Sequence, residues 1–308
     1  MLVNIVSRPP TAIIELNYPP VNGLGLALRT SLVEAFKKLT KDPDIQTIVL
    51  TGNGHMFSAG ADIREFGKAE SRTAPLLPEV IKLIELSNKP VIAAIHGNAL
   101  GGGLELALGC AYRIATTNTR LGLPEVNLGI IPGAGGTQRL PRIIGLKPAL
   151  DIIVTGKIIN SQEAMDIGLV DHIVDSELID ETIKFCSKFS DEKTLTRTAK
   201  NLKIQLGDDE NANQLFDDYK KGMAKRARNL QAPYIALECV KASVDKDFEE
   251  GLSFEREKFR ELVTSEQSRA LRHAFFSERQ SAKIFGHDSN IKPNRINRAA
   301  VIGCGTMG

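Results

Sequence analysis

Two glutamates stand where the surrounding sequence makes an unpaired charge expensive, and each lies close to a run of glycine. Glu105 sits in Leu104-Glu105-Leu106-Ala107-Leu108, directly after Gly101-Gly102-Gly103. Glu125 follows Pro124 in Leu121-Gly122-Leu123-Pro124-Glu125-Val126. A carboxylate kept among apolar residues calls for a partner or a task. Two carboxyls sharing one site push each other's pKa values apart, which leaves one ionised as a base and one protonated as an acid. Taken singly, each glutamate reads equally as a charge at a helix N-terminus or as half of a structural ion pair.

The second ingredient is a pair of glycine-rich loops, Phe57-Ser58-Ala59-Gly60-Ala61-Asp62-Ile63-Arg64 and His96-Gly97-Asn98-Ala99-Leu100-Gly101-Gly102-Gly103. Each is expected to lead into a helix. Glycine lets backbone approach a ligand, and the first turn of a helix offers unpaired N–H groups with a favourable dipole. Two such donors can hold one oxyanion, as an enolate or tetrahedral intermediate requires. The alternative is that these glycines only permit close packing of strand against helix.

The elements around these residues read as α/β. Leu2 to Val6 and Ala12 to Leu16 form an expected hairpin about Arg8-Pro9-Pro10. Leu28, Leu32, Phe36 and Leu39 recur at helical spacing, and Val80, Ile81, Leu83 and Ile84 belong to a second helix. Thr47 to Leu50 and Val91 to Ile95 are all-apolar or nearly so, as strands buried on both faces are. Alternating strands and helices predict an at least partly parallel sheet. From about Ser190 helical, charged sequence takes over. Its densest charge run, Phe248 to Leu262, reads as a solvated helix face with Phe259, Leu262 and Val263 turned inward.

Composition bounds the partners. The 308 residues are 42% apolar and 25% charged, an ordinary globular balance, and the net charge of +2 offers no general field for nucleic acid or membrane. No apolar run approaches the about 18 residues of a membrane helix, and the N-terminus lacks a secretory pattern. Cys110, Cys186, Cys239 and Cys304 form no CxxC pair, which predicts reduced thiols. His55, His96, His172, His273 and His287 show no metal spacing, so no metal is expected. His96 is read as backbone support, and Cys110 as core. The chain ends Ala299-Ala300-Val301-Ile302-Gly303-Cys304-Gly305-Thr306-Met307-Gly308, an apolar strand running into a GxGxxG with neither the helix nor the later acidic residue after it. That pattern predicts the start of a dinucleotide-binding domain, with Gly303, Gly305 and Gly308 as an incomplete NAD motif.

In combination, FSAGADI, HGNALGGGLELA and GLPEVNLGIIPGAGGTQRL resemble the crotonase (enoyl-CoA hydratase/isomerase) superfamily over most of residues 1–190. The later TSEQSRALRHAFF and terminal VIGCGTMG are similar to the bifunctional enoyl-CoA hydratase/3-hydroxyacyl-CoA dehydrogenases, the multifunctional enzyme type 1 group. The resemblance implies a crotonase fold of repeated ββα units over 1–190. A helical section over 191–284 would complete or flank it, 285–298 would be a linker, and 299–308 the first strand of a Rossmann domain. It implies hydration of 2-trans-enoyl-CoA, with Ala61 and Gly102 as oxyanion-hole donors, Glu105 activating water and Glu125 delivering the proton to Cα. Ala59, Gly60, Asp62, Ile63, Arg64 and Gly101 fall in the implied CoA-binding segments. Arg64 would be available to phosphate, unless it belongs to a solvated face, and Asp62 would cap. Hydration would need no cofactor, and NAD would serve only a dehydrogenase part. Δ3-Δ2 isomerisation at the same site, or a non-catalytic or RNA-binding scaffold, are the rival functions. Monomer and homotrimer, and bacterial cytoplasm and peroxisome, stay open.

Overall fold

The computed structural model describes residues 2–187, 197–206, 211–227, 229–281, 295–300, 303 and 305. It divides into two compact units, Met1–Arg272 and His273–Gly308. The first opens with an antiparallel hairpin, β1 (Val3–Arg8) and β2 (Thr11–Leu16), turned at Pro9 and Pro10. β3 (Thr47–Gly52), β4 (Val91–Ile95), β6 (Tyr112–Thr116) and β9 (His172–Val174) then add in parallel, giving the order β1-β2-β3-β4-β6-β9.

The period of two along the strands sorts the core into two faces. Ala12, Ile14 and Leu16 of β2, Ile48 and Leu50 of β3, and Val91, Ala93 and Ile95 of β4 join the larger cluster, which includes residues of α1 (Leu26–Leu39), α2 (Leu77–Glu85) and α3 (Gly102–Leu108). Ile13, Val49, Ile92 and Ala94 face the other way, and α7 (Leu178–Cys186) covers them with Leu178, Ile179, Ile183 and Phe185. The central runs Ala12 to Ile14, Ile48 to Leu50 and Val91 to Ile95 are apolar throughout because both faces are covered there.

A second, three-stranded sheet carries the glycine loops. β5 (Asn98–Leu100) pairs in parallel with β7 (Arg120–Gly122), and β7 pairs antiparallel with β8 (Ile158–Asn160). Beyond β8 lies α6 (Ser161–Asp166), which Asn160 caps through the backbone N–H of Glu163. α4 (Gly136–Ile144) and α5 (Leu146–Thr155) lie between β7 and β8 in the chain.

The chain then continues into helices: α8 (Ala212–Arg226), α9 (Ala232–Asp245), α10 (Phe248–Val263) and α11 (Glu266–Ser281). α9 packs on α4 and α5, and α10 packs on α4, so no division falls at residue 190. The first unit runs on to Arg272, within the section expected over 191–284. In the second unit the rings of Phe275 and Phe276 meet edge to face at 5.6 Å, and Arg279 lies 4.3 Å over Phe275. Most of the expected 285–298 linker, the strand through Val301 and Ile302, and Gly308 lie outside the described residues. Gly303 takes a φ of +102°, a conformation suited to glycine. Among the described residues no helix is long and apolar enough to cross a membrane.

Candidate active site

Strand register brings the expected site residues together. Ser58 bridges Ala99 in parallel, with Ser58 N–H donating to Asn98 O (3.0 Å) and Leu100 N–H to Ser58 O (3.1 Å). Three residues further along each segment come Ala61 and Gly102. A Cβ built on Gly102 would stand 3.1 Å from the Ala61 nitrogen, so the two N–H groups are close neighbours. On the other edge of β5, Leu100 pairs with Gly122, and Gly101 N–H donates to Gly122 O at 2.9 Å. That pairing sets the start of α3 beside the turn carrying Glu125. A Cβ on Gly101 would lie 3.0 Å from Glu125 Oε1, and Gly101 has a φ of +53°, so only glycine fits on both counts.

The two loops lead into different elements. The second enters α3, where Gly102 is the first residue and its N–H has no acceptor within the helix. The first enters only a 3-10 turn, Ile63–Glu65, which corrects the expectation of a helix there. Ala61 is instead placed by its neighbours: Leu24 N–H donates to Gly60 O (2.9 Å), Ala59 N–H to Val21 O (2.9 Å) and Gly60 N–H to Ser58 Oγ (3.1 Å). Among the described residues neither the Ala61 nor the Gly102 N–H has an acceptor.

Glu105 and Glu125 are both buried, at 3% and 9% exposure. Glu105 Oε1 accepts from the backbone N–H groups of Ala134 (2.7 Å) and Gly136 (2.8 Å), at the N-terminus of α4. Burial raises its pKa, while these two donors and the positive charges of Arg139 and Arg256 pull it back. Glu125 lies in the 3-10 turn Pro124–Leu128, and its Oε2 has no hydrogen-bond partner. Burial, then the charge of Glu105, holds its pKa well above the ordinary 4.5, and Glu255 adds to the effect. Burial thus raises both carboxyls, but only Glu105 has N–H donors and nearby cations that favour its charged form, while Glu125 Oε2 has no partner, an asymmetry of the kind that acid and base work uses.

Both glutamates line a cavity of about 790 Å³ together with Ala61, Asp62 and Gly102. Leu77, Ile130, Ile131, Phe66, Phe259 and Val263 supply apolar wall, and Arg72, Arg256, Arg260, Arg269 and Arg272 line it as cations. Arg29 fixes the wall segment after Ala61: it donates to Leu24 O, Glu70 O and Pro75 O (2.8 to 2.9 Å) and pairs with Glu65. Phe66 meets Phe259 edge on at 6.2 Å.

Of the remaining sequence-expected residues, Ala59, Gly60, Ile63, Arg64 and Gly101 do not line this cavity. Asp62 caps the 3-10 turn through Arg64 N–H (3.0 Å), and its carboxylate takes the Arg64 guanidinium on both oxygens at 2.8 and 2.7 Å. Arg64 is mostly exposed, while Asp62 is largely buried against the cavity. His96 Nε2 lies 3.1 Å from Gly54 O. Cys110 is buried, and burial pushes its thiol up to about 12.

Two groups escaped the sequence reading. Arg139, buried in α4, donates to both oxygens of Glu85 (2.8 and 2.7 Å) and to Ala134 O (2.9 Å), beneath the loop that holds Glu105. Glu255 lies inside the run expected to be a solvated face, yet it is 1% exposed. It accepts from Gly135 N–H (2.6 Å), Thr137 N–H (2.9 Å) and Thr137 Oγ1–H (2.6 Å). The signal was a stripe: Phe248, Gly251, Glu255 and Leu262 share one face of α10, and all four are buried.

A family model described as enoyl-CoA hydratase/isomerase matches residues 10–220. The peroxisomal bifunctional enzyme of Danio rerio is 40% identical over 301 residues, covering 96% of this chain and 41% of that protein. The human protein of the same name is 40% identical over 304 residues, with the same coverage. This chain thus spans about two fifths of the length of these relatives. An enoyl-CoA hydratase structure from Bacillus anthracis superposes with a TM-score of 0.58 at 30% identity, over 90% of this chain and 97% of that one. An enoyl-CoA hydratase/isomerase structure from Pseudoalteromonas atlantica, TM-score 0.66 at 22% identity and covering 90% of this chain and 98% of that one, supports the fold. With the family model spanning more than half of the sequence and the α/β layers matching solved crotonase structures, the chain belongs to the enoyl-CoA hydratase/isomerase family.

Proposed function

We propose that this chain hydrates 2-trans-enoyl-CoA thioesters to 3-hydroxyacyl-CoA, as the hydratase portion of a bifunctional β-oxidation enzyme. The observation that carries this reading is the buried carboxyl pair, with Glu105 held by two N–H donors and Glu125 Oε2 unpartnered, beside the unsatisfied N–H groups of Ala61 and Gly102.

The thioester carbonyl accepts from Ala61 and Gly102, and Glu105 takes a proton from water as its oxygen bonds to Cβ. The π electrons move to Cα and the carbonyl oxygen, and the enolate charge develops between the two N–H donors. Glu125 then delivers its proton to Cα. Each proton transfer is worth about 10² to 10⁴ in rate, and losing one oxyanion donor typically costs about 3 to 4 kcal/mol in the transition state. The sum adds water across the double bond with no change of net oxidation state, so hydration itself needs no electron carrier. Of the six cavity arginines, Arg72, Arg256, Arg260, Arg269 and Arg272 suit the phosphates of CoA, which a guanidinium fork matches. In a protein of the relatives' length, an NAD-dependent 3-hydroxyacyl-CoA dehydrogenase activity belongs to the same proposal. A peroxisomal setting does too, because those relatives are named peroxisomal or glyoxysomal.

The test is loss of the conjugated enoyl thioester absorbance of crotonyl-CoA without NAD, for wild type, Glu105→Gln and Glu125→Gln. Turnover by wild type and its loss in both variants is the expected result. Turnover of a 3-enoyl-CoA but not of crotonyl-CoA would replace hydration by isomerisation, and undiminished turnover in Glu125→Gln would remove the assigned acid.

A further inference from the structure

The loop that holds Glu105 also holds a second carboxylate. Along Ala134-Gly135-Gly136-Thr137, successive backbone N–H groups go alternately to two side chains: Ala134 and Gly136 to Glu105, Gly135 and Thr137 to Glu255. The alternation depends on Gly135, whose φ is +100°, where a Cβ would overlap the Arg139 guanidinium. Thr137 Oγ1 completes the arrangement, donating to Glu255 and accepting from Gln138 Nε2 at 2.9 Å. Glu255 thus arrives from α10 to occupy half of a shared anion nest at the N-terminus of α4.

We infer that Glu255 is a positioning residue for the hydration proposed above: by clamping the N–H groups of Gly135 and Thr137, it orients those of Ala134 and Gly136 that hold Glu105. The inference rests on that functional reading. The charged and titratable groups facing Glu255 are Glu105 from α3, Glu125 from its 3-10 turn, Arg139 from α4, Cys239 from α9 and Arg256 from its own helix. Burial and then Glu105 raise the Glu255 pKa, and Glu255 in turn raises that of Glu125. Burial and Glu105 push the Glu255 carboxyl up to about 8, so as pH rises past that value its ionisation adds negative charge near Glu125, which keeps its proton to higher pH. The alkaline limb of the rate profile, where the acid is lost, therefore lies higher with Glu255 than without it.

Two substitutions in the full chain separate geometry from charge. Glu255→Gln keeps length and loses charge, and it sets an NH2 donor against N–H groups that now meet a carboxylate oxygen, on either the Gly135 or the Thr137 side. Glu255→Asp keeps charge and loses reach. Crotonyl-CoA hydration is followed from about pH 5 to 9, across the range where acid and base titrate. In parallel, the Glu125 carboxyl band is titrated by infrared difference against Glu125→Gln. For Glu255→Gln the expected result is a fall in kcat of about 10- to 100-fold, the scale of a misplaced catalytic group. KM stays within about twofold, because the lost interaction belongs to the transition state. The alkaline limb and the Glu125 titration both move to lower pH. Glu255→Asp returns the limb toward wild type without restoring kcat. A folded Glu255→Gln protein with wild-type kcat and an unmoved limb overturns the inference, as does a change confined to KM or to thermal stability. Should Glu255 variants fail to fold, Thr137→Val removes one donor from Glu255, and the same two readouts must move in the same directions or the inference falls. If wild type itself shows no hydration, the functional reading fails, and the Glu125 titration alone then decides the role of Glu255.

Discussion

Replacing Glu125 by glutamine should make the protein more stable in neutral and alkaline solution while nearly abolishing turnover. In the folded state burial, Glu105 and Glu255 all oppose ionisation of Glu125, whose Oε2 has no hydrogen-bond partner. In the unfolded chain the same carboxyl ionises near the ordinary 4.5. The sign comes from linkage. Below the unfolded pKa both states are protonated and Glu125 costs nothing. As pH rises past that value the unfolded state releases its proton and the folded state does not. Stability then declines until pH passes the raised folded pKa, where the penalty levels off. Within that window the slope is at most about 1.4 kcal/mol per pH unit. For a unit of this size, about 2 to 4 °C of Tm per kcal/mol gives a Tm difference between variant and wild type that widens by about 3 to 6 °C per pH unit. Subtracting wild type from variant cancels the direct titration of Glu105 and Glu255. The assay is thermal denaturation of both proteins, by circular dichroism, in buffers spanning the window, with crotonyl-CoA hydration measured on the same samples. Turnover should fall by about 10² to 10⁴, the worth of one proton transfer. A Tm difference that stays flat with pH, or that grows in favour of wild type, would refute the picture of a carboxyl held protonated by its surroundings.

Two other substitutions probe the scaffold. Gly101→Ala should destabilise by about 1 to 3 kcal/mol, because the residue must hold a positive φ that L side chains avoid. It should also lower kcat more than it raises KM, because the new Cβ would stand 3.0 Å from Glu125 Oε1. Urea denaturation with steady-state kinetics checks both, and an unchanged kcat would mean that Glu125 is free to move aside. Glu85→Gln removes the forked partner of Arg139, a guanidinium left only 3% exposed. Breaking a buried pair typically costs about 3 to 5 kcal/mol, and the remaining Ala134 carbonyl and the nearby Glu105 and Glu255 charges should hold the loss to the lower end. Urea denaturation showing a loss below about 1 kcal/mol, the scale of an exposed pair, would count against a buried role.

The residues legible in the sequence share one property: their neighbours in the chain are also their neighbours in space. The strands β3 and β4 announce themselves because both faces are covered, so Ile48 to Leu50 and Val91 to Ile95 run apolar at every position. Glu105 and Glu125 stand out because their flanks are apolar, so a charge there conflicts with its immediate surroundings. The glycines at 60 and 101 are readable for a similar reason, since the positive φ they adopt is a property of the residue itself.

Glu255 offers no such local contradiction. It sits in a run of glutamates, lysines and arginines, most of them at the surface, and its donors come from a loop more than a hundred residues earlier in the chain. Polarity tells a reader only that a side chain wants a partner, and in a charged helix solvent is the default assumption. What distinguishes Glu255 is its phase: it lies on the stripe of Phe248, Gly251 and Leu262, where a side chain must meet protein. Gly251 carries the same message, because a Cβ there would press within 2.1 Å of Gln138 Oε1, so its bareness lets α10 reach α4. A charged residue in phase with a buried stripe is therefore a candidate for a polar contact, and here that contact ends in the N–H groups of Gly135 and Thr137, which alternate with the two that hold Glu105. The late helical section thereby becomes part of the site that the glycine loops begin, which explains why the compact unit continues past residue 190, where the strand-bearing sequence has already ended.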